Sequence, residues 1–280
     1  MSLATLIAAS SARNLPPAIA AFARRLAEDV PGALAVLFYG SCLREPALDG
    51  ILDFYVLTER PRTLADRVLV PTVHFVESDG LRAKVAVIPV AAFTRAMRLG
   101  ALSTHLWARF CQPVALAWAR HDGAAAAVRQ ALVQAADTAA WWAERLAPPH
   151  CSVEETWQGL FRHTYAAELR AEADDRPYRL VAAAPDYWHQ LAALTFTAPL
   201  PAERGAAARA WARRRWLGKP LAAARLVKGA FTFAGGANYL AWKIERHTGY
   251  RLRLTPWQQR HPILAAVPLL LRLRRAGIIR

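Results

Sequence analysis

Ala33-Leu34-Ala35-Val36-Leu37-Phe38-Tyr39-Gly40-Ser41, joined by ten residues to Leu52-Asp53-Phe54-Tyr55-Val56, is where the fold is settled. The first run is apolar and of strand length, and Gly40-Ser41 closes it as a turn. Leu52 stands eleven positions after Ser41, and the run Ile51 to Leu57 is rich in residues suited to a neighbouring strand. Asp53 is the one charged residue in that second run, and packing alone does not call for it.

Outward from this pair, the first 120 residues alternate between helical and extended patterns. Asn14 to Asp29 has a helical period, with Leu15, Ile19, Phe22 and Leu26 on one stripe. Val70 to Val76 and Lys84 to Val90 read as strands around the turn signal Ser78-Asp79-Gly80. Ala91 to Arg109 reads as helix and Pro113 to Trp118 as a last strand. After Gly123 the strand signals stop. Ala124 to Leu146, Val153 to Ala173, Tyr187 to Leu194, Ala206 to Trp216 and Leu221 to His247 follow as helical segments, the last broken at Gly235-Gly236. The expected fold is α+β: a domain with a mixed sheet over residues 1–122, a helical domain over 123–255, and an amphipathic basic segment over 256–280.

Charge is segregated. Of 36 Lys plus Arg and 21 Asp plus Glu, residues 204–280 hold 17 of the basic side chains and a single acid, Glu245. The first 203 residues keep 19 basic and 20 acidic side chains and are nearly neutral, so the excess of +15 belongs to the C-terminal part. Such a field draws nucleic acid, anionic lipid or polyphosphate. Ile263, Leu264, Val267, Leu270 and Leu271 mix there with Arg272, Arg274, Arg275 and Arg280, after Trp257. That pattern fits seating at a membrane interface. No run has the roughly 18 uncharged apolar residues that spanning requires. Trp211, Arg213, Arg214, Arg215 and Trp216 interleave rings and cations, but no established nucleic-acid motif accompanies them, and nucleic acid is set aside as a partner. No basic residue precedes the apolar stretch Ser2 to Ala12, so no secretory signal is expected. Cys42, Cys111 and Cys151 lack metal-ligand or disulfide spacing, and the eight histidines are scattered, which argues against zinc and Ser-His-Asp chemistry.

A strand, a Gly-Ser corner opening a helix and a second strand carrying an Asp suit one chemistry. Glycine lets the backbone approach a triphosphate, the corner's N–H groups and the serine hydroxyl meet its oxygens, and the Asp can hold magnesium. This is the layout of nucleotidyltransferases of the polymerase-beta type. Their usual second acid would stand two residues after the first, where this chain has Tyr55.

The chain more specifically resembles the mitochondrial-type phosphatidate cytidylyltransferases, the translocator assembly and maintenance family. Tyr39-Gly40-Ser41-Cys42-Leu43 resembles its Tyr-Gly-Ser-Gly-Val motif, and Leu52-Asp53-Phe54-Tyr55 its Leu-Asp-Phe motif, which also lacks the second acid. Lys84-Val85-Ala86-Val87-Ile88 is similar to an Ile-Lys-Tyr-Gly-Val-Ile strand, and Ala108-Arg109-Phe110-Cys111-Gln112-Pro113-Val114 to Gly-Arg-Leu-His-Lys-Pro-Val. Tyr165-Ala166-Ala167-Glu168-Leu169-Arg170 resembles Tyr-x-Gly-Asp-Phe-Arg, and Lys228-Gly229-Ala230-Phe231-Thr232 resembles Lys-Gly-Ile-Leu-Thr. Cys42, Ala167 and Glu168 depart from the pattern.

The resemblance implies transfer of CMP from CTP to phosphatidate, giving CDP-diacylglycerol and pyrophosphate, with Mg2+ as cofactor. It places Asp53 on the metal and Lys84 at the reacting phosphates. It gives Tyr39, Gly40, Ser41, Arg109, Glu168 and Lys228 to nucleotide or metal binding. Asp49 and Glu77 flank the motif as turn and strand-end residues. A composition rich in Arg and Ala and poor in Lys suggests a bacterial source, and with it the cytoplasmic face of an inner membrane. A nucleotidyltransferase with another acceptor, or a non-catalytic lipid-binding relative, fits the same residues. Oligomeric state is not readable from the sequence.

Overall fold

The computed structural model describes residues 1–44, 50–61, 71–168, 175–232 and 254–260. The two apolar runs are adjacent strands, β1 (Ala33–Tyr39) and β2 (Ile51–Thr58), paired antiparallel. β3 (Thr72–Ser78) and β4 (Leu81–Pro89) form a hairpin, and β4 lies parallel to β2. Its turn is Asp79-Gly80, both at positive φ, as a two-residue hairpin turn requires. β5 (Ala115–Ala119) closes the other side, antiparallel to β1, and the five-stranded mixed sheet runs in the order β3-β4-β2-β1-β5.

The three central strands β1, β2 and β4 are largely buried on both faces, which is why their runs are continuous and not alternating, while the edge strands β3 and β5 are mostly half-buried. One face carries Val36, Phe38, Phe54, Val56 and Val85 and is covered by α2 (Pro17–Asp29) through Ile19, Phe22 and Leu26. The other carries Ala35, Leu37, Tyr55, Leu57 and Ile88. It packs on helices: α1 (Leu3–Ser11), α4 (Val90–Ala96), α5 (Trp107–Phe110), α6 (Asp122–Leu146), α7 (Val153–Ala167), α8 (Arg176–Ala182), α9 (Pro185–Thr195) and α10 (Pro201–Thr232). A single turn, α3 (Ser41–Arg44), follows β1, and a short α11 (Pro256–Arg260) follows later. Tryptophans supply much of this second core: Trp142 meets Trp211 at 5.0 Å between ring centres, and Trp157 meets Trp188 at 5.0 Å.

The α+β class and the mixed sheet are as the sequence predicts; several element bounds are not. The helix expected over Ala91 to Arg109 is two helices, α4 and α5, with an irregular loop between them. Other elements satisfy the loop's carbonyls: Thr138 Oγ1 donates to Met97 O at 2.7 Å, and the Arg214 guanidinium to Leu99 O at 2.8 Å and Ala101 O at 3.1 Å. With its backbone acceptors bonded from outside, the chain leaves the helix at little cost. The segments expected at Ala206 to Trp216 and from Leu221 onward are one helix, α10, which continues through Pro220. A proline removes one ladder bond and can kink or break a helix, but α10 runs on past Pro220 to Thr232. The rest of the expected Leu221 to His247 segment beyond Thr232, with Gly235-Gly236, lies outside the described residues. The helix begun at Val153 ends at Ala167, α8 was not legible, and residues 169–174 are likewise outside.

Along α10, Trp211 and Arg214 are buried, and the Arg214 guanidinium lies 4.4 Å from the ring centre of Trp142. Arg213, Arg215 and Trp216 face solvent. No helix among the described residues is long and apolar enough to cross a membrane. Of the expected segment 256–280, only α11 is described, with Trp257 exposed; Ile263 to Arg280 lie outside.

Candidate functional site

Strand register builds the site. Tyr39 of β1 pairs with Asp53 of β2, Asp53 pairs with Lys84 of β4, and Phe75 of β3 stands opposite Lys84. Residues directly paired across strands point to the same face. Tyr39, Asp53 and Lys84 therefore form a row across three strands, on the face shared with Leu37 and Tyr55 and opposite α2. All three are half-buried, in a sheet whose neighbouring positions are almost wholly buried.

Gly40 follows the row at φ +93°, a conformation that side chains resist. A Cβ there would lie 2.6 Å from Asp53 Oδ2, so the carboxylate occupies the space a side chain would need. Backbone geometry and carboxylate position thus both select glycine. Ser41, exposed, opens the single turn α3. The buried Cys42 thiol reaches Ile51 O at 3.4 Å and ties the corner to the start of β2.

Arg109, on α5, lies beneath this corner. Its Nη1 donates to Tyr55 Oη at 2.8 Å, and its guanidinium carbon lies 5.4 Å from the Tyr39 ring centre and 5.9 Å from that of Tyr55. Burial by itself disfavours the charge, but Tyr55 and Tyr39, then Asp53 and Glu168, more than offset it and hold the pKa above the ordinary arginine value. Phe110 packs edge-on to Tyr55 at 4.9 Å and closes the apolar floor.

Glu168 caps the C-terminus of α7 and accepts a hydrogen bond from buried Thr104 Oγ1 at 2.6 Å. The loop between α4 and α5 thus delivers a hydroxyl to the carboxylate, and Arg214 of α10 holds that loop from behind. Thr104 was not legible as a site residue: 64 positions separate it from Glu168. Tyr55 was legible in part, since its place two residues after Asp53 puts it on the same face.

Of the residues singled out from sequence, the structure brings together Tyr39, Gly40, Asp53 and Lys84 on one sheet end, with Ser41 at the corner. Arg109 and Glu168 reach the same surroundings from the helical side. Lys228 lies on the backbone of α10, and its side chain is outside the described residues. Asp49 is also outside; Glu77 forms an ion pair with Arg82 at 3.4 Å.

Among the described residues no group of three or more His, Cys, Asp or Glu is placed to hold a metal ion. Magnesium needs no such cage: it takes one or two carboxylates and fills the rest with phosphate oxygens and water. A single carboxylate packed on a glycine corner fits an ion that arrives with a polyphosphate.

No family model matches the chain, and neither does any curated protein. Among solved structures it is similar to the crystal structure of a nucleotidyltransferase-like protein from Exiguobacterium sibiricum 255-15, at 14% identity and a TM-score of 0.29. The match covers 94% of this chain and 93% of that one. The meaning of the site rests on its own residues.

Proposed function

We propose that the chain is a nucleotidyltransferase, and specifically one that moves CMP from CTP to phosphatidate at a membrane surface. The observation that carries this reading is the Asp53 carboxylate seated on Gly40, in register with Tyr39 and Lys84. The antiparallel β1–β2 pair extended by the parallel β4 adds the arrangement expected of the polymerase-beta layout.

In the proposed reaction a phosphate oxygen of phosphatidate attacks the α-phosphorus of CTP. The bond from that phosphorus to the oxygen bridging to the β-phosphate breaks, and pyrophosphate leaves with the electron pair. A phosphate monoester has a second pKa of about 6, so the nucleophile is already an anion and needs no general base. The remaining task is to align two anions and neutralise their charge. Lys84, paired with Asp53 across the strands, and Arg109, coupled electrostatically to Asp53, supply positive charge, and Gly40 and Ser41 let the triphosphate approach the backbone. Asp53 would hold Mg2+, which would supply neutralisation of phosphate charge. The basic C-terminal part supports seating on anionic lipid, at about 1 kcal/mol per basic residue near the surface. We place the protein on the cytoplasmic face of a bacterial inner membrane.

The test is incorporation of radiolabelled CTP into lipid, with phosphatidate vesicles and Mg2+. Asp53→Ala should lower turnover about 100-fold or more while the melting temperature stays near that of wild type. A folded, active Asp53→Ala protein would overturn the assignment. Pyrophosphate release with another acceptor, but not with phosphatidate, would favour a different transferase of the same fold. Vesicle binding without nucleotide binding would favour a non-catalytic relative.

A further inference from the structure

In a two-metal transferase the second carboxylate holds a second cation beside the reacting phosphates. Here residue 55, on the same face as Asp53, is a tyrosine. Its phenol oxygen accepts from Arg109 Nη1 at 2.8 Å. The guanidinium also lies over the ring of Tyr39, the residue registered opposite Asp53. Arg109 is thus fixed from two strands, and its charge acts on both Asp53 and Glu168.

We infer, building on the nucleotidyltransferase reading, that Arg109 anchored by Tyr55 takes the place of a second metal ion, so that the site binds one divalent ion per nucleotide. A guanidinium is permanently charged, planar and able to grip two phosphate oxygens at once. It neutralises phosphate as a metal does, but unlike a metal it does not convert a bound hydroxyl into an alkoxide. The exchange therefore carries a rule about the acceptor. A site with this cation takes acceptors that are already ionised, phosphate monoesters above all, and rejects alcohols and sugars.

Two measurements test this, both with the non-reacting analogue α,β-methylene CTP. The first counts Mn2+ bound per protein–nucleotide complex by electron paramagnetic resonance, and one ion is expected. The second measures nucleotide affinity by calorimetry in EDTA, where Arg109→Ala should lose at least tenfold and Arg109→Lys should recover part. Tyr55→Phe keeps the ring and its packing, removes the hydrogen bond, and should fall between wild type and Arg109→Ala. Circular dichroism confirms that each variant is folded. Two bound Mn2+, binding to wild type only when metal is present, or an Arg109→Ala affinity equal to wild type would each overturn the inference and leave the transferase reading standing. No nucleotide binding under either condition would overturn both.

Discussion

The Asp53 carboxylate fills the space beside Gly40 that an added side chain would need. The atom an added Cβ would strike is the end of the Asp53 side chain, which can swing aside, and not backbone. Gly40→Ala should therefore fold, with a penalty of about 1–2 kcal/mol for the positive φ. On the proposed reading, affinity for Mg2+-CTP should fall much further, about tenfold or more, because the displaced carboxylate no longer faces the corner. Urea denaturation and calorimetry on one preparation separate the two effects, and nucleotide affinity unchanged from wild type would remove Asp53 from the site. This part of the site was legible in the sequence because its members are local: Tyr39, Gly40 and Ser41 are consecutive, and Asp53 lies one strand away. Thr104 and the Arg109–Tyr55 bond were not, since long-range packing joins them and no spacing encodes it.

Elements were legible where hydrophobic burial sets the pattern, and misread where side chains from elsewhere satisfy the backbone. The strands β1 and β2 stand out because both of their faces are buried. The break between α4 and α5 does not, because Thr138 and Arg214 cause it from 41 and more than 100 residues away. In α10 the reverse holds, and Pro220 invites a break that the helix does not make. Two glycines of α10 give opposite expectations. A Cβ at Gly218 would lie 2.5 Å from the carbonyl oxygen of Ala167, just before Glu168, so the helix there touches backbone that cannot yield. Gly218→Ala should destabilise by about 1–3 kcal/mol. At Gly205 the nearest atom is Arg209 Nη1 at 3.6 Å, an ordinary contact, and Gly205→Ala should stabilise by about 0.5–1 kcal/mol through helix propensity. Chemical denaturation of the pair checks both signs, and equal effects would mean that α10 does not rest on Ala167.

At the scale of the whole molecule, burial of a histidine beside basic side chains has a folding consequence. His163 of α7 is half-buried, 5.9 Å from the Trp211 ring centre. Burial first, then Arg215 and Arg162, push its pKa below the ordinary imidazole value. As pH falls below about 6.5, the unfolded chain takes up the proton before the folded one does, so stability drops with pH across that window and levels off once the folded form also protonates. His163→Gln should flatten the slope of unfolding free energy against pH between about 5 and 7, relative to wild type. Identical slopes would show that the ring is solvated.

The second core reaches a wider conclusion. It runs without a gap from Leu37, Tyr55 and Ile88 on the sheet to Trp142, Trp157 and Trp188 in the helices, across the position where a domain boundary was expected. A gene fusion that grafted a foreign helical partner onto this sheet would inherit an apolar surface cut to fit other side chains. It would also lose Glu168, which the helical half contributes to the corner. A sheet separated from these helices would expose that apolar face to water.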